Sequence, residues 1–451
     1  MSDDNVFLLT DLYQLTMLQG YWAEGMGERA VFSLFARRLP GSRNFLLACG
    51  LDAVLGYLER LAPRADELAH LAGAGFDAGF VEWLGGLRFT GDVWAVPEGT
   101  PVFADEPILE VEAPIAEAQV VETFVMNQVH LQTVLASKAA RVRAAAGTRT
   151  VLDFGLRRMH GADAGLKAAR AFHVAGLDAT SNVLAGLVYG VPVAGTMAHA
   201  FVQAHDDEPA AFRAFTRTFP ETVLLVDTYD TLAGVRRVVR LAEERGADFR
   251  VRGIRLDSGD LEAQAVSARR ILDDAGLQGV KIYASGGLDE WKVRRLVRSG
   301  APIDGFGVGT GMGVSSDAPS LELVYKLTCY GSRGRLKLSE GKGTLPGRKQ
   351  VFRMEEAGVA LGDVIARADE TLPGRPLLHK VMEGGRRLPA GEEALDRIRA
   401  RASDEVARLP EVLRALEPVE PGYPVQVSEA LQRYRDQVAR EQTRMAATEG
   451  S

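Results

Sequence analysis

The chain has 451 residues, 46% hydrophobic and 25% charged, with a formal net charge of −7. That length exceeds one small core and points to two or three domains, or to one barrel with an elaborated partner. The lack of a basic excess argues against a nucleic-acid surface, so any bound anion must be held locally, by placed Arg and Lys or by helix N-termini.

The start, MSDDNVFLLTDLYQ, has no basic region followed by a long apolar core, and no stretch reaches the ~18 apolar residues of a membrane span. Cys49 and Cys329 stand far apart without companions at metal or redox spacing. They read as reduced thiols of a cytoplasmic protein. Residues 10–22 read as a helix, 30–37 alternate as a strand does, and 52–60 and 76–84 read as helices. Residues 91–114, rich in Val, Ile, Pro and Gly, read as short strands. The longest helical pattern, 117–146, carries an apolar face through Val120, Phe124, Val129 and Val134.

From 150 the text is rhythmic. Seven short apolar runs (TVLDFG 150–155, AGLDAT 175–180, VPVAGT 191–196, TVLLVDT 222–228, FRVRGIRLD 249–257, VKIYASG 280–286 and IDGFGVGT 303–310) alternate with helical patterns, clearest at 232–245, 261–275 and 290–298. Apolar runs of this kind, separated by helices, predict a parallel α/β arrangement. Seven strands favour an irregular barrel, although a doubly wound sheet gives the same pattern. Past Lys326 a basic, Gly-rich, strand-like stretch resembles the N-terminal β region in texture. The expected organisation is an α/β barrel at 117–328, a smaller α/β sandwich built from 1–116 and 329–425, and a helical tail at 426–451.

Active sites of parallel α/β barrels form at the C-terminal ends of the strands. The endings here supply Asp153 to Arg158, Asp178, Thr196 with His199, Asp227 and Asp230, Arg255 with Asp257 and Asp260, Ser285-Gly286-Gly287, and Gly307 to Thr310. Arg, Asp, one His and Gly-rich turns suit a phosphorylated sugar and a divalent cation. Glycine lets backbone N–H groups approach phosphate oxygens. Neither turn matches the dinucleotide-binding G-x-G-x-x-G pattern. Arg255 and Asp257 share one strand face, which suits pyrophosphate and ribose or hydrated Mg2+. Asp260 reads mainly as a helix cap. Of the adjacent pair Arg157-Arg158, Arg157 is the expected ligand contact, with Arg158 a surface or ion-pair residue. His199 stands just past a strand end, where imidazole can act as base or nucleophile; the other histidines lack such company.

Eight segments, TDLYQLTM, FGLRRMHG, LDATSNVLAG, GTMAHAF, VDTYDT, IRLDSGDL, ASGGLDE and GVGTGMG, occur in the order of the nicotinate phosphoribosyltransferase family, which this chain resembles from about residue 8 to 330. The resemblance implies condensation of nicotinate with phosphoribosyl pyrophosphate to nicotinate mononucleotide and pyrophosphate. It implies coupling to ATP hydrolysis through a phosphohistidine at His199, Mg2+ as cofactor, and a homodimer with shared sites. Tyr13, from a neighbouring subunit, and Phe154 would sandwich the pyridine. Arg157 and Thr196 would lie near its carboxylate, with Asp178 near the ring. Arg255 would meet pyrophosphate and Asp257 the ribose. Ser285, Gly286, Gly287, Gly307, Gly309 and Thr310 would form the 5′-phosphate region. Two positions depart from the family's text: Ala200 where serine is common, and His205 in place of a larger apolar residue.

Three rival readings remain. A nicotinamide-using relative wants an acceptor such as Asp178 near its amide, whereas the Arg157-Arg158 pair suits nicotinate. A quinolinate-using relative would need more basic residues and is usually shorter. A non-catalytic phosphosugar-binding regulator gives no reason to keep His199, Arg255 and Asp257 together.

Overall fold

The computed structural model describes residues 6–338 and 344–449, so residues 339–343 of the basic, Gly-rich stretch, 1–5 of the N-terminus and 450–451 of the tail lie outside the described residues. The chain forms two compact units. One is residues 138–319, and the other combines 1–137 with 320–451. The division falls inside the long helix Glu122–Ala146.

The 138–319 unit carries a parallel sheet of six strands: β1 (Thr150–Asp153), β2 (Ala179–Thr180), β3 (Val223–Leu225), β4 (Gly253–Leu256), β5 (Lys281–Ala284) and β6 (Gly305–Val308). Their spatial order is β2-β1-β6-β5-β4-β3. In-register pairs such as Ile282 with Ile254 and Phe306 with Val151 tie neighbours together. Ile254, Leu256, Ile282, Ala284, Phe306 and Val308 are fully buried, as expected of strands covered on both faces. The helices that follow β3, β4 and β5 begin at aspartates. Asp230, Asp260 and Asp289 accept the backbone N–H of Ala233, Ala263 and Lys292 at 2.7, 3.1 and 2.8 Å. Each cap fixes a helix start immediately after a strand end.

Of the irregular barrel of about seven strands, the structure shows a parallel sheet of six. Six of the seven apolar runs become strands, but 191–196 makes only one parallel bridge, Val193 to Thr180. Pro192 has no N–H to give a second neighbour. Its carbonyl accepts from Thr180 N at 3.0 Å, and Ala194 N donates to Thr180 O at 2.9 Å. Pro192 and Val193 are exposed. The sheet therefore stays open between β2 and β3.

In the other unit, one seven-stranded sheet interleaves the two ends of the chain in the order Arg333–Gly334, Leu323–Tyr330, Arg29–Ala36, Pro107–Pro114, Asp92–Ala95, His379–Glu383 and Arg386–Arg387. Leu34 pairs with Tyr325 on one side and Leu109 on the other. A four-stranded sheet from the C-terminal part buries Arg353 against Asp363, Nη2 to Oδ2 2.7 Å. Among the described residues no helix is long and apolar enough to cross a membrane.

Candidate active site

A cavity of about 790 Å3 lies within the 138–319 unit and is walled by residues at the C-terminal ends of the strands. Phe154 and the turn after it follow β1, and Ser181 follows β2. Arg255 and Asp257 come from β4 and its end, Ser285, Gly286 and Gly287 follow β5, and Gly307, Gly309 and Thr310 come from β6 and its end. Gly195, Thr196, Met197, Ala198 and His199 complete the wall from the segment that failed to become a strand. Twelve residues expected from the sequence are thus together: Phe154, Arg157, Thr196, His199, Arg255, Asp257, Ser285, Gly286, Gly287, Gly307, Gly309 and Thr310.

Close backbone approach explains two of the glycines. Gly286 has φ +92°, and a Cβ there would stand 1.8 Å from the Asp257 carbonyl oxygen. A Cβ at Gly307 would stand 2.5 Å from the Phe154 ring, so Gly307 lets that ring lie over β6. Arg255 lies 5.8 Å from the centre of the same ring and donates from Nη2 to the Met197 carbonyl at 3.1 Å. Its Nε is buried without a hydrogen-bond partner among the described residues. Burial pulls the Arg255 guanidinium below its ordinary value, Asp257 and Asp227 pull it back up, and Arg157 pushes it down.

The acidic side of the cavity is tightly tied. Ser285 Oγ donates to Asp257 Oδ1. Asp227 Oδ2 accepts from Asp257 N at 3.1 Å and from Ser258 Oγ at 2.6 Å, while its Oδ1 is buried with no hydrogen-bond partner among the described residues. At the end of β1, Asp153 accepts from Gly155 N at 2.8 Å and Thr180 Oγ1 at 2.7 Å. Burial pushes the Asp153 carboxyl above its ordinary value, a rise that these bonds only partly offset. Asp153 thereby fixes the turn that carries Arg157. His199 opens the helix His199–Gln203, and its Nδ1 lies 3.1 Å from Thr228 Oγ1.

Asp178 is not in this wall. The strand holds only Ala179 and Thr180, so Asp178 precedes it, at the entry end of the sheet. Its carboxylate accepts from Val151 N at 2.8 Å and Arg143 Nη1 at 3.1 Å. Tyr13 belongs to the other unit, on the helix Leu12–Ala23, about half exposed. Arg158, expected as a surface or ion-pair residue, is exposed and also lines the cavity with Arg157, because a tight 3-10 turn at Leu156–Arg158 brings the two adjacent guanidinium groups to one wall. Leu156, Ser181, Met197 and Ala198 also line it without having been singled out. Asp260 is the helix cap expected of it.

The cavity presents three guanidinium groups, Arg157, Arg158 and Arg255, and the carboxylate of Asp257, a cationic recess in a chain of net charge −7. That balance suits a ligand with several anionic groups and a polyhydroxylated centre. Among the described residues no group of three or more His, Cys, Asp or Glu side chains is arranged to hold a metal by itself.

Residues 8–130 match the model of the nicotinate phosphoribosyltransferase N-terminal domain, and residues 150–337 match that of the nicotinate phosphoribosyltransferase family. A nicotinate phosphoribosyltransferase of Mycobacterium tuberculosis, pncB2, is 53% identical over 425 residues, covering 94% of this chain and 92% of that protein. That of Bacillus subtilis is 44% identical over 82% of this chain and 78% of its own length. The crystal structure of human nicotinic acid phosphoribosyltransferase superposes with a TM-score of 0.85 at 32% identity, covering 95% of this chain and 99% of the human one.

Proposed function

The chain belongs to the nicotinate phosphoribosyltransferase family, and from that premise we propose that the cavity joins nicotinate to phosphoribosyl pyrophosphate, releasing nicotinate mononucleotide and pyrophosphate in a step of NAD salvage. The observation that carries this reading is the single cavity that gathers three guanidinium groups, Asp257 and two glycine turns beside the face of Phe154. The glycine turns after β5 and β6 receive the 5′-phosphate through backbone N–H groups. Arg255, held in place by its bond to Met197 O, faces the pyrophosphate and stabilises the charge that develops as it leaves. Asp257 accepts from the ribose hydroxyls. Arg157, with Arg158, receives the nicotinate carboxylate, for which a guanidinium fork is better matched than it is to a neutral amide. Asp178, engaged by Arg143 away from the cavity, leaves an amide without the acceptor that the nicotinamide reading requires.

Mg2+ fits this donor set. It retains several waters and binds through one or two carboxylates plus substrate phosphates rather than a full protein cage. Asp257 and the unpartnered Oδ1 of Asp227 are the carboxylates that would hold it, and the ion would neutralise pyrophosphate charge. ATP enters the same reading as co-substrate, with His199 as phosphoryl acceptor. Phosphorylation adds negative charge and acceptor oxygens beside Arg255 and so alters the affinity of the cavity for its anionic ligands. The cytoplasm is the compartment proposed with this activity.

The deciding assay supplies phosphoribosyl pyrophosphate, Mg2+ and either nicotinate or nicotinamide, with and without ATP. Nicotinate mononucleotide is expected, at a higher yield with ATP, together with acid-labile label from γ-tagged ATP that is lost in His199→Ala. Product from nicotinamide alone overturns the substrate, absence of any turnover favours a binding regulator, and equal labelling of His199→Ala removes the phosphohistidine.

A homodimer with shared sites is part of the proposal. Each unit leaves an apolar helix face uncovered: Leu12 and Tyr13 on Leu12–Ala23, and Val183, Leu184, Leu187 and Val188 on Val183–Tyr189. Contiguous exposed apolar side chains of this kind mark association surfaces. Tyr13→Ala and His199→Ala proteins, each inactive or weak alone, are expected to regain activity when their subunits are exchanged. No recovery from folded, exchanging subunits overturns the shared site.

A further inference from the structure

His199 is poorly anchored by its own segment. It opens a five-residue helix after a run that failed to pair into the sheet, and its neighbour Ala200 is exposed and offers no hydroxyl. The ring is nevertheless held. Among the described residues its one recorded hydrogen bond joins Nδ1 to Thr228 Oγ1, at 3.1 Å. Thr228 is firmly placed, because residues on both sides of it are tied down. Asp227 accepts from Asp257 N and Ser258 Oγ at the end of β4, and Asp230 caps the helix Thr231–Arg245 through Ala233 N. The hydroxyl therefore belongs to a turn fixed at two points, and the imidazole leans on it.

We infer that Thr228 is the positioning residue for His199: its hydroxyl oxygen accepts Nδ1–H, which leaves the lone pair on Nε2 and makes Nε2 the nitrogen that takes the phosphoryl group. This rests on the reading of His199 as phosphoryl acceptor. A neutral imidazole carries one N–H and one lone pair, and the partner of one nitrogen decides the state of the other. Nε2 attacks the γ-phosphorus of ATP. The N–P bond forms as the bridging P–O bond breaks, ADP leaves with the electron pair, and the ring proton stays on Nδ1 facing Thr228. Water later attacks the same phosphorus, the N–P electrons return to Nε2, and orthophosphate departs. Thr228 thus supplies, from the neighbouring strand end, the support that Ala200 cannot give.

The test uses the full chain with 15N-labelled histidine, the His199 signal being the one lost in His199→Ala. The wild-type protein should show His199 protonated on Nδ1. Thr228→Val, which keeps the shape and removes the hydroxyl, should shift that signal toward the other tautomer and slow the initial rate of acid-labile labelling by about tenfold. Thr228→Ser should restore both. Unchanged tautomer and labelling rate in Thr228→Val overturn the inference, as does failure of Thr228→Ser to restore them. Wild-type protein that never acquires label on His199 overturns the phosphoryl reading instead, and the tautomer comparison then still decides whether Thr228 sets the ring.

Discussion

Replacing Glu290 by alanine lowers stability by about 3–5 kcal/mol, seen as a fall on the order of 10 °C in the melting temperature. Glu290 is fully buried where the helix Glu290–Arg298 begins, three residues after the glycine turn that follows β5. Its two oxygens hold two buried cations: Lys138 Nζ at 2.5 Å and Arg141 Nε at 3.0 Å. Burial alone would raise the Glu290 carboxyl, but Lys138 and the hydrogen bonds outweigh it and hold the group below the usual carboxylate range. Alanine leaves Lys138 paired with Asp317, 2.7 Å away, and takes from Arg141 the partner of its Nε, in a residue whose Nη2 already has none among the described residues. An uncompensated buried charge is the costly outcome, far more than loss of an exposed pair. Glu290→Gln, which keeps an acceptor, should fall between. A melting temperature for Glu290→Ala within 2 °C of wild type would mean that water or a local shift satisfies both cations.

Arg255→Ala should reduce kcat/KM by at least about a hundredfold, roughly 2.7 kcal/mol of lost transition-state stabilisation. Two losses combine. A half-buried guanidinium that faces the pyrophosphate disappears, and the Met197 carbonyl loses its donor in the very segment that carries His199. Arg255→Lys should recover little, because an ammonium is a point charge and cannot reproduce the fork that bonds Met197 with one nitrogen while presenting another to ligand. Steady-state kinetics in both phosphoribosyl pyrophosphate and nicotinate, with melting curves to confirm folding, check this. A loss under fivefold would remove Arg255 from the reacting end of the cavity.

The sequence carried the sheet well where strand text was unambiguous. Runs such as VKIYASG and TVLLVDT combine buried apolar residues with a polar ending, and the capping aspartates mark where each helix starts. The run VPVAGT misled because its composition is strand-like while Pro192 withholds a donor, a defect that shows only once neighbours are known. Asp178 misled for a related reason: AGLDAT folds into a strand of two residues, so an aspartate read as lying at the exit stands at the entry. Glycine and arginine positions at the cavity were legible because close backbone approach and anion recognition restrict residue type strongly. Thr228 and Glu290 were not singled out, since their roles rest on partners 29 to 152 residues away in the chain, as in Thr228–His199 or Glu290–Lys138, and single-sequence patterns carry no such pairing.

The unclosed seam has one more consequence. An open parallel sheet exposes unpaired N–H and C=O groups along its edges, and such edges recruit strands from other molecules. Here the two strands bordering the gap are the shortest of the six, β2 with two residues and β3 with three, whereas the other four each have four. Pro192 stands in the segment lying beside β2. The sheet is therefore open at the point where it offers the least template for aggregation, and the gap that frees the His199 segment from strand geometry carries little risk of intermolecular pairing.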